Sequence, residues 1–445
     1  MTDTCEDFLN WVDERNPNQP EFLQTVREVS QSVWPIYTAN KQWWDERILH
    51  RLTEPDRIVS FRVAWEDDKN EVQINRGFRV QFSNALGPYK GGLRFHPTVN
   101  RSVLKFLGFE QTFKNALTGL PMGGGKGGAD FDPRGRSDRE IMRFCQSFMV
   151  ELSRHIGPEV DVPAGDINVG VREIGYMFGT YKQITGRFEG VITGKEIAYG
   201  GSEMRVEATG YGLVFFVCAM LQHQGQQLDG MNVVISGAGN VATHAAEKAI
   251  EMGAKVLTLS DSQGFIYDGE GVTREKIAWV REQKRRPGVS LEGYAEEFGA
   301  KWHKGEKPWG VPCDVVLPCA TQNELGLTDA QTLIGNNVRA VGEGANMPCT
   351  TEAIAAFRHA GVLLAPAKAA NAGGVALSGL EISQNATRDP RPRAELAERL
   401  EKIMHSIHET CLNEMDGTDK PDYVRAANAA GFRKVAKALS AFGIL

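Results

Sequence analysis

Apolar positions in the first third of the chain change period several times. Phe22, Leu23, Val26, Val29 and Val33 recur at helical spacing, which predicts an amphipathic helix ending near Pro35, where the ring removes a donor and crowds the preceding turn. Phe61, Val63 and Trp65, then Phe78, Val80 and Phe82, alternate with polar neighbours and predict two half-buried strands. Helical spacing returns over 100–117, with Leu104, Leu107, Phe109 and Phe113 as apolar positions, and again over 141–156. Residues 161–168, with Pro163 and Gly165, read as a turn-rich segment.

Short apolar runs separated by helical stretches dominate the second half. Val233–Ile235, Val256–Leu259, Val315–Leu317, Ala340–Val341 and Val362–Ala365 are strand candidates, and Leu396, Leu400, Ile403, Ile407 and Cys411 mark a long helix. Strand alternating with helix predicts a parallel sheet covered on both faces. Glycines thicken from Gly190 to Gly201, which reads as a hinge, and a long apolar helix opens near Ala208. The expected fold is therefore α/β with two domains: an N-terminal α/β substrate domain over 1–200 and a Rossmann-like doubly wound dinucleotide-binding domain over 201–424.

Composition narrows the function classes. A chain of 445 residues, 42% hydrophobic and 24% charged, has room for two ordinary globular domains. Fifty basic against 56 acidic side chains give a net charge of -6, with no long run of one sign, so neither nucleic acid nor a membrane surface is implied as a partner. Met1–Asp7 is acidic where a secretory signal is basic, and no apolar run approaches the roughly 18 residues of a membrane helix, so a cytoplasmic location is expected. The seven cysteines are scattered without a histidine cluster, which favours reduced structural thiols and predicts no metal site.

Candidate chemistry begins at Leu120–Asp130, where Lys126 stands among Gly123, Gly124, Gly125, Gly127 and Gly128. A nucleotide phosphate loop is excluded on two positions: Leu120 occupies the place of its first glycine, and Gly127 follows the lysine where Ser or Thr is needed. Taken alone, Lys126 could be a solvated lysine on a glycine-rich loop. Further groups accompany it: Lys90 before Gly91 and Gly92, Gln111 and Lys114 three apart on one helical face, and Asp166 after Pro163-Ala164-Gly165. Each has a plainer alternative, a wet helix face for Lys114 and a turn cap for Asp166. Together, three lysines and an aspartate suit a small dicarboxylate.

A second motif follows the predicted strand at Val233–Ile235. Gly237-Ala238-Gly239-Asn240-Val241-Ala242 leads into a helix, and glycines there permit a tight turn and close backbone approach to a pyrophosphate held at the helix start. Asp261, after the next strand, is placed to accept a ribose hydroxyl and would favour NAD. Ser262 and the basic trio Lys284, Arg285 and Arg286 could instead meet a 2′-phosphate, and the balance favours NADP with NAD possible. Polar residues follow the later strands, with Ala320, Thr321 and Gln322 after one and Asn346 after another, as at the ligand edge of a parallel sheet.

Lys90-Gly91-Gly92, the glycine-flanked Lys126, Pro163-Ala164-Gly165-Asp166 and Gly237–Ala242 occur in an order that resembles the glutamate dehydrogenases of the Glu/Leu/Phe/Val dehydrogenase family, from about Val33 onwards. The resemblance implies L-glutamate, 2-oxoglutarate and ammonium as substrates, NADP as cofactor and a homohexamer, with helices over 425–445 packing back on the first domain. It assigns Lys126 to activating water and stabilising a carbinolamine, and Asp166 to proton transfer at the amino nitrogen. It places Gln111 and Lys114 on the α-carboxylate and Lys90 and Ser378 on the γ-carboxylate, with Gly165, Arg205 and Val375 also at the substrate. Thr209, Gly237, Gly239, Asn240, Val241, Asp261, Ser262, Lys284, Arg285, Ala320, Thr321, Gln322 and Asn346 fall to the cofactor. A branched-chain or phenylalanine dehydrogenase shares the Lys126 chemistry but carries an apolar residue in place of Lys90. A non-catalytic nucleotide-binding regulator would account for Gly237–Ala242 and leave Lys126 and Asp166 without a purpose.

Overall fold

The alternating residues around Phe61 and Phe78 form a continuous antiparallel ladder, β1 (Arg57–Glu66) with β2 (Val72–Ser83), in register from Arg57↔Gln81 to Glu66↔Val72. The computed structural model describes residues 4–284, 286, 288–415 and 421–444. These fall into two units: Met1–Glu203 with Val375–Arg393 and Asn428–Leu445, and Met204–Gly374 with Ala394–Ala427.

The first unit holds a five-stranded sheet in the order β1-β2-β4-β3-β5, completed by β3 (Tyr89–Phe95), β4 (Gly124–Ala129) and β5 (Asp161–Gly165). β3 runs parallel to both β4 and β5, whereas β2 is antiparallel to β4. One face carries Phe95 against Phe144 and Phe148 of the helix Asp138–Leu152, at ring separations of 5.0 and 5.3 Å. The helix Arg101–Leu117, capped by Asn100, brings Gly108 onto Val80 and Phe82. With Phe82, Val80 and Phe109 each buried, this packing supplies a large apolar contribution, on the order of 25 cal/mol per Å² removed from water.

Three local expectations are corrected. The first helix runs through Pro35, from Pro20 to Ala39, because the buried stripe Val26, Val29 and Val33 continues to Tyr37, whose ring meets Phe432. Tertiary burial there outweighs the lost donor. The glycine stretch around Lys126 is a buried interior strand, β4, instead of a loop. Residues 161–165 are likewise a strand instead of a turn; β5 lies at the sheet edge, where Pro163 is tolerated because it has no ladder donor to lose.

The second unit is a seven-stranded sheet ordered β12-β11-β10-β6-β7-β8-β9. β6 (Asn232–Ile235), β7 (Lys255–Asp261), β10 (Val315–Leu317), β11 (Ala340–Gly342) and β12 (Leu363–Ala365) are parallel, matching the predicted apolar runs. β8 (Gly264–Tyr267) and β9 (Lys301–Lys304), absent from the sequence reading, extend the sheet antiparallel beyond β7. From β6 the chain first adds β7 on one side and then returns to place β10 on the other. The strand order thus reverses beside β6, the position at which such sheets open a crevice for a ligand.

Residues 375–393 differ in allegiance from the sequence reading, which left them with the nucleotide-binding domain; they pack in the first unit. The Gly190–Gly201 segment shows why. Lys195 and Glu381 form an ion pair at 2.8 Å with both side chains fully buried, Glu381 also accepts the Gly194 amide, and Gln384 and Asn385 donate to the carbonyls of Gly201 and Gly200. The segment read as a hinge is fastened along the helix Gly373–Thr387 within that unit.

Candidate active site

Glycine at β3 and β4 serves close approach more than unusual backbone angles. A Cβ at Gly91 would lie 1.6 Å from the Gly125 carbonyl oxygen, and one at Gly124 would lie 2.0 Å from Thr112 Oγ1. Among Gly123–Gly128 only Gly128 has a left-handed φ, 153°. The strands and the helix Arg101–Leu117 are therefore pressed together with Lys126 in the middle strand, its side chain 5% exposed.

Register then brings the charges together. Leu93 of β3 is opposite both Gly127 of β4 and Gly165 of β5, so Gly92 lies between Lys126 and the residues leading to Asp166. A Cβ at Gly92 would lie 2.8 Å from that of Asp166; glycine leaves the passage open. Through it Lys126 Nζ reaches Asp166 Oδ2 at 3.1 Å. Asn168, with φ 59°, turns the chain after Asp166 and donates to the Phe95 carbonyl at 2.9 Å, a left-handed role that asparagine tolerates.

Burial pushes the Lys126 ammonium below the usual lysine range, Asp166 pulls it back, and the like charges of Arg94 and Arg79 push it down again. Burial alone would raise the Asp166 carboxyl, but the charges and hydrogen bonds of Lys126 and Arg94 together outweigh it and hold the acid well below its ordinary value. A lysine whose ammonium is destabilised beside a carboxylate gives up its proton to a bound molecule more readily than a solvated one.

The remaining first-unit candidates stand on β3, β5 and two helices. Lys90 is 1% exposed on β3. Gln111 and Lys114 are half-buried on one face of the helix Arg101–Leu117. Ser378 is buried, and its neighbour Gly379 packs on Leu120 and Met122, in the approach to β4. Gly165, at the end of β5, and Val375, on the helix with Ser378, are half-buried in this unit. Arg205 belongs to the second unit, where it and Thr209 lie beside Gly374.

Four supporting residues escaped the sequence reading. Asn115 is buried; its Nδ2 donates to the Lys90 carbonyl at 3.0 Å and to that of Gly123, while its Oδ1 accepts from Gln111 at 2.7 Å. One amide thereby sets the backbone of both lysine-bearing strands and orients Gln111. Arg79 and Asp161, both fully buried, pair across the sheet, and Arg79 Nη1 donates to the Gly91 carbonyl at 3.0 Å. Arg94, from β3, donates to Asp166 Oδ2 at 2.8 Å. The one signal available for Asn115 was its helical spacing of four from Gln111; for Arg79 and Asp161, 82 positions apart, there was none.

In the second unit, Gly237 has φ 88° and donates its amide to Ser260 Oγ at 2.7 Å. A Cβ on it would lie 3.1 Å from the Cys319 carbonyl oxygen, at the end of β10, so the turn sits where the strand order reverses. Gly239 caps the helix Asn240–Glu251, with open space where a Cβ would stand. The first helical bond is from Thr243 to Gly239, which leaves the amides of Asn240, Val241 and Ala242 without helical acceptors. The turn and these amides fit a pyrophosphate.

Asp261 is engaged within the protein: its Oδ2 accepts from Lys284 Nζ at 2.7 Å and from the Leu291 amide at 2.9 Å, and its Oδ1 accepts from the Gln263 amide. The acid holds Lys284 at the end of β7, next to Ser262. Arg285 lies outside the described residues. Ala320 and Thr321 donate their amides to Glu324, Gln322 is exposed, and Asn346 Oδ1 accepts from the buried Asn371 at 3.2 Å. Among the described residues no cluster of His, Cys, Asp or Glu could hold a metal ion, and no helix is long and apolar enough to cross a membrane.

Comparison with known proteins gives a consistent picture. Residues 55–183 match the family model described as Glu/Leu/Phe/Val dehydrogenase, dimerisation domain, and residues 200–443 match that of glutamate/leucine/phenylalanine/valine dehydrogenase. The chain is 54% identical, over 100% of both chains, to the NADP-specific glutamate dehydrogenase of Escherichia coli strain K12. It is 55% identical, over 99% of both, to the NAD-specific glutamate dehydrogenase of Bacteroides fragilis. The crystal structure of Plasmodium falciparum glutamate dehydrogenase superposes with a TM-score of 0.96 at 49% identity, covering 99% of this chain and 95% of that one.

Proposed function

The chain belongs to the Glu/Leu/Phe/Val dehydrogenase family, and from that premise we propose that it interconverts L-glutamate and 2-oxoglutarate plus ammonium with NADP. The observation that carries this reading is the Lys126–Asp166 pair, joined across Gly92 in the same unit as the fully buried Lys90. By resemblance the fully buried Lys90 faces a side-chain carboxylate, which glutamate has and leucine, valine and phenylalanine lack.

When bound, NADP+ would supply the hydride acceptor for the substrate α-carbon, and water would convert the resulting iminium to the keto acid and ammonium. Lys126, its ammonium destabilised by burial, takes the proton of the attacking water and stabilises the carbinolamine; Asp166 moves protons to and from the departing nitrogen. Lys114 and Gln111 hold the α-carboxylate, and Lys90 with Ser378 the γ-carboxylate. Gly165, Val375 and Arg205 complete the substrate's surroundings. Gly237, Gly239, Asn240 and Val241 hold the pyrophosphate, and Thr209, Ala320, Thr321, Gln322 and Asn346 the nicotinamide half. Ser262 and Lys284, the latter steadied by Asp261, take the 2′-phosphate, with Arg285 assigned there by resemblance. We infer a homohexamer, supported by the matched dimerisation domain and by a structural relative at 27% identity described as a hetero-hexameric glutamate dehydrogenase from Thermus thermophilus.

Steady-state rates with glutamate, leucine and phenylalanine against NADP and NAD test substrate and cofactor together. Glutamate with NADP should give the highest kcat/KM, and leucine or phenylalanine ahead of glutamate would refute the reading. Lys284→Gln should weaken NADP about tenfold, the equivalent of one charge-assisted contact, while NAD binding stays within about twofold. Equal losses for both nucleotides in titrations would show that Lys284 supports the turn without reading the phosphate.

A further inference from the structure

Arg94 and Lys126 converge on one oxygen of one carboxylate. Arg94 Nε donates to Asp166 Oδ2 at 2.8 Å from β3, and Lys126 Nζ lies 3.1 Å from the same atom from β4. Among the described residues, neither a side chain nor an amide engages Oδ1. The three side chains are 12%, 5% and 17% exposed for Arg94, Lys126 and Asp166 in turn, so their geometry is set by the sheet and not by solvent. Leu93 is opposite Gly165 in the parallel β3–β5 ladder, so Arg94 is the next residue of β3 and Asp166 the first residue after β5. The guanidinium is delivered to the carboxylate by register.

The two cations differ in one respect that matters for a proton-transfer site. Lys126 changes protonation in the proposed reaction, and as a neutral amine it no longer anchors Asp166 by charge. Arginine does not lose its proton in proteins, and its rigid donor fork holds one geometry. We infer that Arg94 is a positioning residue for the proton transfer: it fixes Oδ2 of Asp166 from β3 while Lys126 cycles, and thereby keeps Oδ1 presented to the substrate nitrogen. The inference rests on the functional reading above and adds a residue to it.

Arg94 also faces Lys126 as a like charge. The charged groups acting on Lys126 are Asp166, Arg94 and, from β2, Arg79, which is paired with Asp161; those acting on Asp166 are Lys126 and Arg94. Removing the Arg94 charge relieves the repulsion at Lys126 and weakens the stabilisation of ionised Asp166. Both changes favour the protonated forms, so the ascending limb of the pH profile must move to higher pH.

The test compares Arg94→Gln and Arg94→Lys with the wild-type enzyme in pH profiles of kcat and kcat/KM for glutamate, with NADP titration as the check on folding. For Arg94→Gln, kcat at pH 7 should fall roughly tenfold, the ascending limb should move up by about half a unit or more, and KM for glutamate should change by less than about threefold. Arg94→Lys keeps the charge without the fork and should lie between the two in both readouts. If Arg94→Gln does not fold, a wild-type profile for Arg94→Lys overturns the inference, and a smaller upward displacement supports it. A glutamine profile coincident with wild type, or a loss confined to KM, overturns it while leaving the functional reading standing. Absence of glutamate turnover in the wild-type enzyme overturns both.

Discussion

Replacing Asp166 by Asn is expected to lower turnover of glutamate with NADP by two or more orders of magnitude, the usual scale for a lost proton-transfer group. The substitution keeps shape and one carbonyl acceptor, so Arg94 can still donate to the side chain and the end of β5 need not move. Two things change. The amide cannot take up or return the proton of the substrate nitrogen, and Lys126 loses the one anion that draws its ammonium back towards the ordinary range. Lys126 should therefore be neutral over more of the pH range, and the residual activity should show its ascending limb at lower pH than wild type, the opposite of the direction expected for Arg94→Gln. NADP affinity should stay within about twofold, because the turn at Gly237 and the amides of Asn240–Ala242 are built from the second unit alone. Rapid-mixing and steady-state rates at several pH values would decide the matter, and a variant turning over within about threefold of wild type would falsify the proton-transfer role.

How far this site could be read from the chain depends on the range of the interactions that make it. The strand, glycine turn and helix at Gly237–Ala242 were legible in detail because they are contiguous and the physics is local. Lys126 was recognisable as unusual, but its five glycines suggested a loop, since a glycine-rich run lacks the apolar side chains that signal a strand. The reason for the glycines lies across the sheet, in the Gly125 carbonyl against Gly91 and in Thr112 against Gly124, and no spacing rule reports it. Arg79 with Asp161 and Arg94 with Asp166 are invisible for the same cause: their pairing depends on strand order β2-β4-β3-β5, which the residues themselves do not spell out. The bond from Lys284 to Asp261 is hidden in the same way: Asp261 follows β7, and a helix far along the chain brings the lysine back to it. The placement of 375–393 in the first unit is a further case, because the buried Lys195–Glu381 pair joins positions 186 apart in sequence.

That placement bears directly on substrate choice, since it brings Ser378 into the unit that contains Lys90. Both are buried at 1% exposure, so a carboxylate received there is removed from water and must be compensated by the groups at hand. Changing Lys90 to Leu deletes the countercharge and leaves the desolvation cost. Breaking a buried ion pair by removal of one partner costs roughly 3–5 kcal/mol, so kcat/KM for glutamate should fall by about two to nearly four orders of magnitude. The loss should be selective: norvaline, which has no γ-carboxylate, should be unaffected or improved, because the leucine side chain puts apolar surface where the ammonium stood. Adding Ser378→Val removes the remaining polar group and should raise the rate with norvaline and leucine further, to the point where they compete with glutamate. Asp166→Asn, by contrast, should slow every amino acid alike, so a matrix of these variants against glutamate, norvaline and leucine separates recognition from chemistry. If Lys90→Leu kept wild-type kcat/KM for glutamate, the side-chain carboxylate would have to be held by another cation. Arg205, beside Thr209 and Gly374, would be the first to replace, and Arg205→Met should then show the selective loss that Lys90→Leu did not.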